Sequence, residues 1–386
     1  MTRPRLLRLL PLVTLQACTS LADGDSPQEN FDAYRQQTAA LIQAQRHFQT
    51  DDHAAEVQWN APQEWRPAGP PKGGILLVHG LGDSPWSFHD VGRMLAAQGY
   101  LVRTVLLPGH GTKPEDMLDV TLGQWQQLVR EQARLLSEEV PTVFLGGFST
   151  GANLVLDYAY DHDDIAGLVL FSPAFRSDSA YAWLTPWIGW ARPWLAAPHD
   201  GIRPMQTPVR YLNVPTNGFA QFYRSSALAQ KRLHQRSFDK PVFIAITQHD
   251  SVLDTAYVLD TFNQRFEHPA SRLIWYGDSP ARAAHTPRIE VRKDYLPEFR
   301  ISQFSHMGLM FSPDNPLYGV GGTQRICWNG QDTPDMQQCV AGAPVWFSDW
   351  GYREPGKVHA RLTFNPYFDW QSQVLLQVLA AAKAEE

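Results

Sequence analysis

Short, continuous apolar runs recur along this chain, at residues 75–78, 101–107, 143–145, 165–171, 242–246 and 273–276. A strand with one face in water alternates apolar and polar positions. Most of these runs do not, which is the pattern of parallel strands covered on both faces. Between them, apolar residues at helical spacing predict helices over 87–98, 121–138 and 151–160, and a last helix over about 368–382. Strands alternating with helices predict a doubly wound α/β fold, its mostly parallel sheet joined by right-handed crossovers. Upstream, Ser26-Pro27-Gln28-Glu29 reads as a capping box with proline at the first helical position, opening a helix toward residue 48. Phe31, Tyr34, Ala39, Leu41 and Ile42 give that helix a moderate apolar face.

Composition narrows the class. With 44% hydrophobic and 12% aromatic residues, the 386-residue chain is too apolar to remain disordered. Its 33 Lys plus Arg against 39 Asp plus Glu leave a net charge of −6, without the basic excess that a nucleic-acid partner requires. The start, MTRPRLLRLLPLVTLQAC, has basic residues, a short apolar run and a small residue before Cys18, the pattern of an export signal too short to span a bilayer. Cleavage before Cys18 removes Arg3, Arg5 and Arg8, so the 33 basic residues become 30 and the net charge goes from −6 to −9. Cys327 and Cys339 lie in a Gly, Asn, Asp and Gln-rich stretch. In an oxidising compartment they predict a disulfide closing a short loop, worth about 3 kcal/mol by the chain-entropy relation. No further CxxC or HxxxH completes a metal site, and no GxGxxG, P-loop or HExxH competes as a cofactor site, so neither metal nor cofactor is expected.

The chemistry falls at strand ends. After the run TVFLG comes Gly147-Phe148-Ser149-Thr150-Gly151 and then a helical stretch, the strand, sharp turn and helix that a nucleophile elbow needs. A serine hydroxyl is a poor nucleophile alone and needs an imidazole base with an orienting carboxylate. Asp250 follows the strand PVFIAIT, with Asp254 as runner-up in the next helix, and His306 follows RISQFS. Ser149, Asp250 and His306 thus occur in the chain order of such triads. For the oxyanion, two backbone N–H groups are expected, one from Thr150 and one from Leu81 in His79-Gly80-Leu81-Gly82, with the His79 side chain bracing that loop.

Taken together, HGLGDSPWSF, LLPGHGTKPEDM, Trp125, GFSTG, the strand ending in HD and the SH pair resemble the α/β-hydrolase superfamily. The resemblance is to its carboxylesterase and monoacylglycerol-lipase-like branch, often grouped with the serine aminopeptidases, and it covers roughly residues 70 to 310. It implies an α/β-hydrolase fold with a helical cap, in which Ser149, Asp250 and His306 match the triad and Leu81 and Thr150 the oxyanion positions. Leu15-Gln16-Ala17-Cys18 separately resembles the lipobox of bacterial lipoproteins, which implies lipidation of Cys18. An ordinary signal peptide with Cys18 incidental is the alternative. Thr19 after the cysteine favours the outer membrane over retention at the inner one.

The expected organisation is a signal peptide over 1–17, an N-terminal helix and lead-in over 18–69, and a hydrolase domain over 70–386. That domain carries a cap insertion at about 173–238 and a disulfide-containing insertion at about 312–365. The polar stretch DSPARAAHTPRIEVRKDYLPE is expected as a surface hairpin before the last strand. Trp183, Trp187, Trp190 and Trp194 form a helical stripe broken by Pro186 and Pro193, either internal core of the cap or a surface for an acyl chain. The function expected is cleavage of small-molecule or lipid esters through an acyl-enzyme, by an exported enzyme held at the membrane by its lipid. An amidase or peptidase, and an inactive binding lipoprotein of the envelope, are the alternatives.

Overall fold

The computed structural model describes residues 30–189, 191–198, 204–280 and 286–383. The signal segment, Cys18, the Ser26–Glu29 capping box, Trp190 and His285 lie outside them.

The described chain opens with two helices, α1 (Phe31–Gln45) and α2 (His53–Asn60), and a two-residue strand, β1 (Glu64–Trp65). Within the described residues α1 is capped by Asn30, whose side chain accepts from the Ala33 N–H. Alternation follows through β2 (Gly74–Val78), α3 (His89–Ala97), β3 (Leu101–Val105), α4 (Leu122–Ser137), β4 (Val143–Phe148), α5 (Thr150–Tyr160) and β5 (Ile165–Phe171). The cap contributes α6 (Thr185–Ile188) and α7 (Thr216–Gln235). The sheet resumes with β6 (Val242–Thr247), α8 (Thr255–Arg265), β7 (Arg272–Tyr276) and β8 (Ile289–Arg292). The C-terminal part adds α9 (Thr333–Val340), β9 (Trp346–Ser348), β10 (His359–Arg361) and α10 (Phe368–Lys383).

Eight strands form one sheet in the order β1-β3-β2-β4-β5-β6-β7-β8, parallel throughout except for the β1–β3 edge pair. Because side chains alternate along a strand, each apolar run feeds two cores. Leu76, Val78, Leu145, Leu168 and Ile244 pack with Trp125, Val129 and Leu154 of α4 and α5. Ile75, Leu77, Phe144, Val169 and Phe243 pack on the other face with Val91 and Leu95 of α3 and Leu375 and Val378 of α10. Helix α4 begins with a reciprocal capping box between Thr121 and Gln124.

Two expectations change. The polar stretch before His306 is not an insertion outside the sheet: its IEVR segment is β8, the edge strand, paired in parallel with β7. Glu290 and Arg292 are tolerated there because an edge strand is half solvated. The segment leading into His306 is instead a loop, tied by isolated bridges from Ile301 to Leu296 and Phe347. In the cap, Trp183 and Trp187 are exposed, so they are not internal core. The break at the prolines does occur, with a 3-10 turn over Ala182–Leu184 and then the four-residue α6.

The N-terminal helices clamp the cap. The Arg46 guanidinium, almost fully buried, pairs with buried Glu56 at 2.7 Å and donates to the carbonyls of Gly111 (2.7 Å), Thr207 (3.2 Å) and Pro208 (2.5 Å). Asn60 reaches the same Pro208 carbonyl at 2.8 Å, and Gln206 donates to the His47 carbonyl. One charged side chain therefore joins helix α1, the loop after β3 and the stretch leading into α7.

Candidate active site

Ser149 sits between β4 and α5 with φ 54° and ψ −114°, a left-handed conformation that strains any residue with a Cβ. The flanking glycines make that turn possible. A Cβ on Gly147 would collide with the Ala152 backbone nitrogen; one on Gly151 would collide with the Val78 carbonyl oxygen and lie 2.6 Å from that of His79. The turn also places Thr150 at the first position of α5, where a helix leaves its amide without an intrahelical acceptor.

Asp250 and His306 meet. Asp250 Oδ2 lies 2.7 Å from His306 Nδ1, while its Oδ1 accepts from the backbone N–H groups of Val252 (2.9 Å) and Leu253 (3.1 Å). With Nδ1–H donated to Asp250, His306 Nε2 is the free base position. The imidazole stands 5.0 Å from the Phe148 ring, beside the elbow. The Ser149 hydroxyl makes no hydrogen bond to His306 in this conformation, and Ser149 is only 5% exposed; such contacts tighten in substrate complexes. Asp254 does other work, capping α8 through the Tyr257 N–H and pairing with Arg176. His249 pairs with Asp294 at 2.5 Å, which raises its pKa.

The loop carrying Leu81 is braced by two neutral histidines. His79 Nδ1 donates to the Gly80 carbonyl at 2.8 Å and its Nε2 accepts from the Leu107 N–H at 3.0 Å. His110 Nε2 accepts from the Gly82 N–H at 3.0 Å. Burial pushes the His79 pKa down to about 4 and, with help from His79, that of His110 to about 3. Both rings therefore remain acceptors near neutral pH. Leu81 itself packs with Phe222, Ala174 and Leu253 under the cap.

The C-terminal insertion reaches the same place. Asp349, fully buried just after β9, accepts from the Ser251 N–H at 2.6 Å and from the His306 N–H at 3.3 Å. Cys327 and Cys339 are disulfide-bonded, and they pack with Val345 and Ala360 beside the β9–β10 pair. Sequence reading missed Asp349 because the stretch VWFSDWGY that holds it has neither a motif nor a periodicity. A cleft of about 660 Å³, lined in part by Asp250, His249, Leu253 and Tyr352, runs along the acid's loop.

The profile of the serine aminopeptidase S33 hydrolase family matches residues 69–278, which include the Leu81 loop, the elbow and the acid. The chain belongs to this S33 family. Among its relatives, a thermostable monoacylglycerol lipase from Bacillus sp. (strain H-257) is 30% identical over 176 residues, covering 46% of this chain and 70% of that enzyme. The monoglyceride lipase of Homo sapiens is 30% identical over 123 residues, covering 31% of this chain and 41% of that one. Among solved structures, one from work on the metagenome-derived lipolytic enzymes LipS and LipT aligns with a TM-score of 0.48 and 23% identity, over 57% of this chain and 89% of that one. The S33 match ends at residue 278, before His306, so the imidazole partner rests on the geometry above.

Proposed function

We propose that this S33 hydrolase cleaves carboxylic esters of the monoacylglycerol or short acyl type through an acyl-enzyme. The observation that carries the reading is the strained elbow at Ser149 with the Asp250–His306 pair beside it; the monoacylglycerol lipases among the relatives support the substrate class. In this reading His306 Nε2 takes the Ser149 proton as Oγ attacks the ester carbonyl, and Asp250 holds the imidazole and balances its cation. The Leu81 and Thr150 N–H groups receive the negative charge that develops on the carbonyl oxygen. His306 returns the proton to the departing alcohol, and a water, deprotonated by the same nitrogen, releases the acid. No cofactor or metal enters these steps.

The aminopeptidase name of the family keeps an amide substrate as the second reading. A panel of p-nitrophenyl esters of graded acyl length with matched amides separates the two. Ser149→Ala is expected to abolish turnover of p-nitrophenyl butyrate with the fold intact; substantial remaining activity would sink the assignment.

The address is part of the proposal. The lipobox-like Leu15–Cys18 segment supports an exported enzyme lipidated on Cys18 and held in the bacterial envelope, at the outer membrane where one is present. Cys18→Ser is then expected to move the protein from the membrane fraction to the soluble one, and unchanged fractionation would refute the anchor.

A further inference from the structure

We infer that Asp349 is a positioning residue for the reaction, a buried carboxylate that sets the spacing of the two loops carrying Asp250 and His306. The inference rests on the Ser149, His306 and Asp250 reading and extends it to a part of the chain that the family match does not reach.

Asp250 and His306 stand on separate loops, 56 positions apart, and their 2.7 Å hydrogen bond exists only if those loops hold register with one another. One carboxylate spans them. Asp349 Oδ2 takes the N–H of Ser251, the residue after the acid, and Oδ1 takes the N–H of His306 itself. The Ser251 bond, at 2.6 Å, is as short as charge-assisted bonds from backbone donors are, and the His306 bond, at 3.3 Å, is longer; together they tie both loops to one planar group.

Asp349 is in turn fixed by its surroundings. Its carbonyl accepts from Asn329 Nδ2 at 3.1 Å, and Asn329 Oδ1 accepts from Arg361 Nε at 2.6 Å. The neighbouring β9 residues are bound to the His306 loop as well: the Phe347 carbonyl accepts from the Ser302 N–H at 2.8 Å, and the Phe347 N–H donates to the Arg300 carbonyl at 2.7 Å. Ser305 Oγ donates to the Leu362 carbonyl at 2.6 Å, closing the loop from the β10 side. Burial raises the Asp349 pKa, Arg361 opposes that rise, and Asp250 adds to it. Half-buried Arg361, its own pKa lowered to about 10 by desolvation, supplies opposing charge to Asp349 and Asp250 without a direct ion pair to either.

The test compares Asp349→Ala, Asp349→Asn and the parent as full chains with the disulfide formed, using p-nitrophenyl butyrate. Misplacing a reacting group by about 1 Å lowers a rate on the order of 10²-fold. The Ala variant is expected to lose kcat on that scale with KM changed less than about twofold, the signature of an interaction realised in the transition state. The Asn variant keeps one acceptor for an N–H and is expected to fall between. In both, the downfield proton resonance of His306 Nδ1 should shift or broaden while near-ultraviolet circular dichroism matches the parent.

Retention of kcat within about threefold in the Asn variant, with that resonance unchanged, would overturn the positioning role even where the Ala variant fails to fold. Ser149→Ala keeps the two readings apart. If it is silent while the Asp349 variants run at the parent rate, the triad stands and the positioning role falls; if it remains active, the triad reading falls first.

Discussion

Glu56→Gln is a demanding probe of the N-terminal clamp. Glu56 is fully buried; its Oε2 accepts from Arg46 Nε at 2.7 Å and its Oε1 from the N–H groups of Gln49 (2.7 Å) and Thr50 (2.5 Å). Glutamine preserves the shape but removes the charge and turns an NH2 group toward a donor on one side or the other. Arg46 then remains buried with three neutral carbonyl partners and no counterion. Removing one member of a buried pair costs about 3–5 kcal/mol. Against an ordinary stability of about 5–15 kcal/mol, that is a large share.

Arg46→Met attacks the same pair from the other side and also removes a donor from the Gly111, Thr207 and Pro208 carbonyls, the last of which keeps Asn60. Urea unfolding followed by tryptophan fluorescence, run on the parent, both single variants and the double variant, yields the coupling energy. We expect the double variant to be more stable than the sum of the singles implies by at least about 2 kcal/mol, because it leaves no lone buried charge. Hydrogen exchange should quicken at the Tyr211 N–H, which bonds the Gly82 carbonyl at 2.6 Å beneath the cap. A loss below about 1 kcal/mol in either single variant, or strict additivity, would refute the account of the clamp.

Four other outcomes are expected. Gly151→Ala should lower kcat for p-nitrophenyl butyrate by about 10²-fold, because its Cβ has no room beside the Val78 and His79 carbonyls. Gly123→Ala in α4, where a Cβ meets nothing nearer than 3.9 Å, should leave the rate unchanged and raise stability by about 0.4–1 kcal/mol in urea melts. Opening the disulfide with Cys327→Ala and Cys339→Ala together should lower stability by about 3 kcal/mol, and the same melts check it. Stability should also fall as pH drops from about 6.5 toward 4. Buried His79 and His110 have native pKa values below the unfolded one, so the unfolded chain takes up protons first; the stability they confer is full above 6.5 and lost below it. Urea midpoints at pH 7.5 and 5 measure this, and a fall between those pH values no larger in the parent than in a His110→Gln variant would contradict it.

The parts of this protein legible in the sequence are those in which physics repeats or constrains locally. Residues 165–171 form a strand because an unbroken apolar run has no other use between two helical patterns, and β5 has those bounds. The elbow is legible because its strained backbone demands glycines at fixed offsets from Ser149. Asp250 could be separated from Asp254 by its distance from the strand end, and the structure finds the latter capping a helix. Tertiary pairing hid the rest. Arg46 and Glu56 look like surface charges in weakly amphipathic helices, since nothing local says that each neutralises the other. The β8 strand hid in a polar stretch because an edge needs little apolar surface. Exposure of Trp183 and Trp187 contradicts the ordinary fate of aromatics and could not be read from spacing.

The C-terminal brace has a consequence in time. A polypeptide synthesised from its N-terminus presents Ser149 long before residues 346–361 exist to support the imidazole. The elbow needs β4, α5 and the ends of β2 and β5 around it, whereas the His306 loop depends on bonds to Phe347, Asp349 and Leu362. On the proposed roles, an incomplete chain thus carries its nucleophile without a fixed base, and hydrolytic power arrives only with about the last tenth of the molecule. A C-terminal clip near residue 340 would remove that support together with α10, whose Leu375 and Val378 cover one face of the sheet, so the fixed base and part of the core are lost at once.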